Sequence, residues 1–291
     1  MAVTAQQVKV LRERTGAGMM ECKKALVAAD GDVEAAALQM RKAGLAKADK
    51  KAGRVAAEGV IVIRLSEDGT AGAMAEVNCE TDFVASGEAF RAFADQVAEA
   101  ALAAPALEPE VLLEQSVAGT TLEEQRRSLV AGLGENIRVR RVGGLNSRGL
   151  LGHYLHGSRI GTLVALEGGD AELARDLAMH VAASRPLYVA AEDVPAPMLD
   201  KEREVLGEQA ARERKPPEIA KKMVEGRLRK YLGEITLLGQ PFVKDDQVSV
   251  ARLVEQRGAR VTGFLRFEVG EGVEKPGEDF AAEVMKQVRG G

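Results

Sequence analysis

Residues 57–101 read AEGVIVIRLSEDGTAGAMAEVNCETDFVASGEAFRAFADQVAEAA. Val60, Val62 and Leu65 follow the period of two expected of a strand with one buried face. Asp68-Gly69 supplies a hairpin turn, and residues 72–78 read as a second strand. Near Ser86 the period becomes helical, with Phe90, Phe93, Val97 and Ala101 on one face. Two strands followed by a covering helix begin an α+β unit.

Working outward, Pro105, Pro109 and Gly119 mark residues 103–120 as a loop with a helical turn. A helix is expected at 122–133 and a strand at 137–142. The same order then recurs. Residues 150–155 and 160–166 form a hairpin across His156-Gly157, and AELARDLAMHVAAS, residues 171–184, supplies the helix. Its LAMHVAAS (177–184) stands where FADQVAEAA (93–101) stands in the first unit, which suggests two subdomains of similar plan. The closing strand of the second arrives only at 261–269. In between, Pro195 and Pro197 open a helix carrying Leu199, Val205, Leu206 and Ala210. Pro216-Pro217 then opens another, carrying Ile219, Met223, Val224, Leu228 and Tyr231. These make an inserted antiparallel hairpin whose apolar stripe packs either internally or against a second copy of the chain. The tail, 278–288, reads as an amphipathic helix with Phe280, Val284 and Val288 in register.

Upstream, Thr4 and Gln7 have the spacing of a capping box, and Val3 with Val8 that of a hydrophobic staple. Val8 and Leu11 mark a first helix closed by Gly16. A second helix is expected at 20–29, stopping at Asp30-Gly31. Asp32 caps a third, with Val33, Ala36, Ala37 and Met40 on its face and its end at Gly44. The run RKAGLAKADKKAGR, residues 41–54, follows with six basic residues and one acid. It reads as a solvated linker, with an RNA-contacting patch as the alternative.

The expected architecture is therefore α+β with antiparallel sheets. Residues 1–54 form a three-helix, UBA-like module with a basic linker. Residues 55–145 form one core subdomain, and 146–193 with 234–270 the other. The helical hairpin occupies 194–233, and 271–291 form a C-terminal helical module.

Composition narrows the function. Only 3% of residues are aromatic and the formal net charge is −4, which argues against a base-stacking platform and a general phosphate-backbone binder. Two cysteines, Cys22 and Cys79, suit a reduced cytosolic protein. With no signal-peptide pattern and no apolar run near ~20 residues, the chain reads as cytoplasmic. Motifs of catalysis are lacking as well. The sequence contains no P-loop, no HExxH and no CxxC, and Gly16-Ala17-Gly18 follows a helix rather than a strand, against a dinucleotide fold. His153 and His156, three apart in a strand, point to opposite faces and make a poor shared site. His180 reads as a satisfied core residue. A hydrolase built on Cys79 and a histidine is a weak alternative.

One segment stands out: VNCETDFVASGEAF, residues 77–90. At its strand-to-helix junction, Thr81-Asp82-Phe83-Val84 sets an acid beside an aromatic in a chain poor in aromatics. Phe83 either folds back as a staple for the following helix or stands out as an apolar wedge for a partner's pocket. The blocks VKVLRERTGAGMMECKKAL (8–26), EVNCETDFVA (76–85), GENIRVRRV (134–142), HGSRIG (156–161), AMHVAAS (178–184), KMVEGRLRKY (222–231), QPFV (240–243) and GFLRFEVGEGVEK (263–275) together closely resemble the bacterial elongation factor Ts family. The blocks stand in the family's order along nearly the whole chain, except that residues 103–128 match poorly and position 80 is glutamate where the family often has glutamine.

The resemblance implies a guanine-nucleotide exchange factor, without covalent chemistry or cofactor, acting on GDP-bound elongation factor Tu. Thr81, Asp82, Phe83 and Val84 would displace the element supporting Mg²⁺ in that partner. Arg12, Met19 and Met20 would contact a helix of its GTPase domain, with Ile137 and His156 at or near the interface. The second subdomain would touch another domain of the partner, and the tail would clamp over the GTPase domain. Self-association through the hairpin is an open second use of its stripe, and an RNA-binding adaptor built on 41–54 is the rival reading.

Overall fold

The computed structural model describes residues 3–15, 17–105, 108–213 and 216–274, with the side chains of residues 41 and 45–49 outside that description. The expected cap at Gly16 and the tail helix with Phe280, Val284 and Val288 lie outside the described residues. The chain divides into two units. One comprises the residues up to Val62, Ala75–Val142 and those from Glu268 onward; the other comprises Ile63–Met74 and Gly143–Phe267.

Three helices open the first unit: α1 (Ala5–Thr15), α2 (Met19–Ala28) and α3 (Val33–Lys51). The capping box forms as its spacing requires, because Thr4 N donates to Gln7 Oε1 at 2.8 Å and Gln7 N donates to Thr4 Oγ1 at 3.2 Å. Asp32 Oδ1 accepts from the backbone of Glu34 and Ala35, capping α3. Val8, Leu11, Cys22, Leu26 and Ala36 bury themselves together, so a small shared core holds α1 and α2, which are too short to persist alone.

Gly44 does not end α3. The helix continues through the basic run to Lys51, which corrects the expected linker. A Cβ at Gly44 would lie 3.2 Å from the Ala131 side chain. This glycine permits close approach to a later helix of the same unit rather than terminating its own. A single sequence does not separate these two uses of glycine.

Next come β1 (Glu58–Leu65), β2 (Ala71–Cys79), the one-turn α4 (Asp82–Ser86) and α5 (Glu88–Ala103). In α5, Phe90, Phe93, Val97 and Ala101 are buried on the face expected of them. The loop holds α6 (Pro109–Leu113) and the small ladder of β3 (Ser116–Val117) with β4 (Thr120–Thr121), before α7 (Leu122–Leu133) and β5 (Arg138–Asn146). Gly134, at φ 81°, caps α7 in the left-handed region that glycine favours. The first sheet has the order β1-β2-β5.

In the second unit, β6 (Leu150–His156) pairs antiparallel with β7 (Ile160–Glu167), from Leu150 opposite Leu166 to His156 opposite Ile160. Helix α8 (Ala171–Ser184) covers them. It approaches so closely that a Cβ at Gly152 would sit 2.1 Å from the Ala174 carbonyl oxygen. The inserted α9 (Ala196–Arg212) and α10 (Pro217–Ile235) follow, then β8 (Pro241–Phe242), β9 (Asp245–Ser249), α11 (Val250–Gln256) and β10 (Arg260–Glu268). The second sheet has the order β10-β7-β6. Val164, Leu166, Leu173, Leu177, Val181, Leu237 and Val261 share its core. No helix among the described residues is long and apolar enough to cross a membrane.

Candidate functional site

The junction between β2 and α4 is built by hydrogen bonds that cross the sequence. Glu135 Oε2 accepts from Glu80 N at 3.1 Å and Thr81 N at 3.0 Å, while Glu135 Oε1 accepts from the Thr81 hydroxyl at 2.6 Å. In return, Asn136 N donates to Glu80 Oε1 at 2.7 Å. Asn136 Nδ2 donates to the carbonyls of Ala52 and Arg54, and Lys51 donates to the Gly134 carbonyl. The end of α3, the end of β2 and the α7–β5 turn are thereby fastened to one another.

Thr81 also caps α4, its hydroxyl accepting from Val84 N at 3.4 Å. Counting from that cap, Asp82 is the first helical residue, Phe83 the second and Ala85 the fourth. At about 100° per residue, Phe83 and Ala85 face nearly opposite ways. Ala85 is the buried one, and Phe83 is 86% exposed. A staple needs the residues just before the cap and at the fourth helical position, and Phe83 is neither. Phe83 is therefore not a staple, and its ring faces outward. Asp82 is exposed beside it, and Val84 is half-buried.

The other candidates fall into separate groups. Arg12 on α1 and Met19 and Met20 at the start of α2 are exposed, the methionines at 60% and 65%. In the second unit, His156 is exposed at the end of β6, with its Nδ1 3.2 Å from the Tyr154 hydroxyl. Ile137 differs: it is fully buried, so its side chain offers no surface to a partner. Its carbonyl accepts from Arg126 at 2.8 Å, and it follows directly on the Glu135–Asn136 clamp.

Hydrolytic chemistry finds no support among these groups. Burial, reinforced by the negative charge of Glu135, pushes the Cys79 thiol up to about 12. At neutral pH it stays protonated and is a poor nucleophile. His180 is buried, with Nε2 2.9 Å from Gln240 Oε1 and Nδ1 accepting from Val243 N. Burial lowers its pKa, so it is a neutral, satisfied core histidine. No group of three potential metal ligands occurs among the described residues.

The family model described as elongation factor TS matches residues 80–271. Elongation factor Ts of Thioalkalivibrio sulfidiphilus is 58% identical over 292 residues, spanning 100% of both chains. Those of Methylococcus capsulatus and Halorhodospira halophila are also 58% identical, each covering 99% of both chains. The chain belongs to the elongation factor Ts family. An elongation factor Ts is a nucleotide exchange factor for elongation factor Tu in translation elongation, and it is not an enzyme.

Within this chain, the basic run 41–54 has an internal use. Lys51 holds the Gly134 carbonyl, and Arg54 lies 3.5 Å from Glu80. At least these two of its cations serve the fold, which weakens the RNA-binding alternative. The glutamate at position 80 is likewise accommodated, between Asn136 N and Arg54. Sequence reading missed the clamp itself. Its residues stood inside the block GENIRVRRV, but no periodicity distinguishes a clamping glutamate from a solvated one.

Proposed function

We propose that Phe83 is the element of this factor that drives GDP release. It enters the GTPase domain of elongation factor Tu beside the element that supports Mg²⁺, with Asp82 next to it and Thr81 and Val84 forming the turn that carries it. The observation that supports this most strongly is an aromatic ring 86% exposed on a one-turn helix whose preceding strand end is fastened by four hydrogen bonds. Exposed aromatics that become fully desolvated on binding are typical energetic anchors of interfaces.

Bound GDP depends on Mg²⁺ to compensate its phosphate charge. Moving the support of that metal leaves the phosphates underscreened in a partly desolvated site, and each 1.4 kcal/mol removed from the release barrier is about tenfold in rate. Arg12, Met19 and Met20 dock the N-terminal module, the methionines as adaptable apolar contacts. His156 contacts the partner from the second unit, and Ile137 acts only by supporting the clamp. Linkage requires factor and nucleotide to weaken one another equally at equilibrium, so incoming GTP expels the factor. No cofactor enters the cycle, which runs in the cytoplasm.

Stopped-flow release of a fluorescent GDP from elongation factor Tu tests this reading. Release accelerates and saturates as the factor is added; no acceleration at micromolar factor would overturn it. The hairpin has a separate use. Leu206 and Ala210 are buried, while Val205 and Ile219 remain exposed, and that exposed pair is the surface for a second copy. Sedimentation of the whole chain at rising concentration reads this directly: a mass that stays at one chain removes the dimer.

A further inference from the structure

We infer that Glu135 is a positioning residue for nucleotide exchange, setting the direction in which Phe83 projects; this rests on the role given to Phe83 above. Helix α4 has only five residues and buries one of them, Ala85. A helix that short has little stability of its own, and a ring 86% exposed has little packing to hold it in place. Its aim is therefore inherited from its attachments. On the C-terminal side, Gly87 N donates to the Val84 carbonyl at 2.9 Å, and Arg91 reaches the Ala85 carbonyl at 3.3 Å.

On the N-terminal side, one carboxylate does most of the fixing. Glu135 accepts from two successive backbone N–H groups and from the Thr81 hydroxyl, and the same hydroxyl oxygen accepts from Val84 N. The path from Glu135 to Phe83 thus runs through Thr81, by its backbone N–H and by the hydroxyl that caps the helix. A carboxylate suits this position because it only accepts, and all three groups facing it are donors. Its own place is fixed in turn. Gly134 adopts φ 81° to end α7 immediately before it, Lys51 holds the Gly134 carbonyl, and Glu80 holds Asn136 N immediately after it. Without Glu135, Thr81 loses two bonds and Glu80 N one, and the N-terminal end of α4 loses its anchor to the α7–β5 turn.

The experiment is saturating stopped-flow GDP release with Glu135→Ala, Glu135→Gln, Phe83→Ala and the Glu135→Ala/Phe83→Ala double variant. Misplacing a reacting group by about 1 Å costs up to about 100-fold, so Glu135→Ala is expected to lower the saturating rate by roughly 10-fold or more. The half-saturating concentration should move much less, because Arg12, Met19 and Met20 are untouched. Glu135→Gln, which keeps one accepting oxygen, should fall between wild type and Glu135→Ala. In the Phe83→Ala background, Glu135→Ala should add nothing further. A purely structural role would instead lower the rate by the same factor in both backgrounds, and that overturns the inference. So does a wild-type saturating rate for Glu135→Gln and Glu135→Ala while Phe83→Ala is slow. If Glu135→Ala does not fold, Glu135→Gln alone and on the Phe83→Ala background decides by the same comparison. Full speed for Phe83→Ala removes the underlying role of Phe83 instead, and is distinguishable on that ground.

Discussion

Phe83→Ala is expected to leave a folded factor that releases GDP from elongation factor Tu about 30-fold or more slowly at saturation, taking ~2 kcal/mol as the contribution of a desolvated aromatic anchor. The two halves of this expectation have separate origins. Stability should change little, because a ring 86% exposed contributes almost no buried area to the free factor and surface substitutions of this kind usually stay within ~0.5 kcal/mol. The cost falls on the complex, where the ring would be enclosed. A loss confined to the maximal rate assigns Phe83 to the displacement step, whereas a loss confined to the half-saturating concentration would make it a docking contact. Thermal unfolding and stopped-flow release on the same preparation settle both halves. Wild-type speed in a folded Phe83→Ala protein would remove the wedge.

Why Phe83 was legible only in part is a question of local geometry. Sequence placed it at a junction and left open whether it turned in or out. The decision depended on where Thr81 caps the chain, since a shift of two positions would have turned the ring toward the core. Read from the periodicity alone, the helix began near Ser86; the structure inserts an extra turn at Asp82–Ser86, too short to show a period. Strand and helix faces with long repeats were readable: Phe90, Phe93, Val97 and Ala101 are buried together. The capping box at Thr4 was readable for the same reason, being a local pattern with a local cause.

Features that depend on distant partners were not readable. Gly44 resembled a stop signal because glycine permits both termination and close packing, and only Ala131, far along the chain, distinguishes them. The basic run resembled a solvated linker because nothing local announces that Lys51 meets Gly134 or that Arg54 faces Glu80. The resemblance puts Ile137 at or near an interface, yet it is fully buried. The residue two positions earlier, Glu135, makes the contacts that bear on the wedge. Charge and glycine are ambiguous in sequence because their meaning lies in the partner.

Glu76 is the extreme case, and removing it should produce the largest loss of stability. The residue lies on β2 with its carboxylate fully buried, a position where an unpaired charge is not tolerated. Arg140 Nη1 lies 3.0 and 3.1 Å from its two oxygens, the Arg141 guanidinium also donates to it, and Gly270 N donates at 2.9 Å. The two arginines extend the network to the segment after β10, where Arg140 reaches the Glu271 carbonyl and Arg141 reaches the Glu268 carbonyl and the Glu271 carboxylate. One carboxylate thus ties β2, β5 and residues 268–271 of the same unit. Glu76→Ala leaves two half-buried guanidiniums facing a void with their principal anion gone. Breaking a buried pair by removing one partner costs about 3–5 kcal/mol, well above what replacing the whole network with apolar groups would cost. Glu76→Gln should lose less, since its amide oxygen still accepts, but it cannot offset two positive charges. Denaturant unfolding of the three proteins measures this order, and equal stabilities for wild type and Glu76→Ala would mean that solvent reaches and neutralises the arginines. Because the penalty comes from desolvation rather than from exposed pairing, added salt should recover little of it. Glu76→Ala and Phe83→Ala, seven residues apart on one strand and its following turn, should therefore fail in opposite ways: the first in unfolding, the second in exchange.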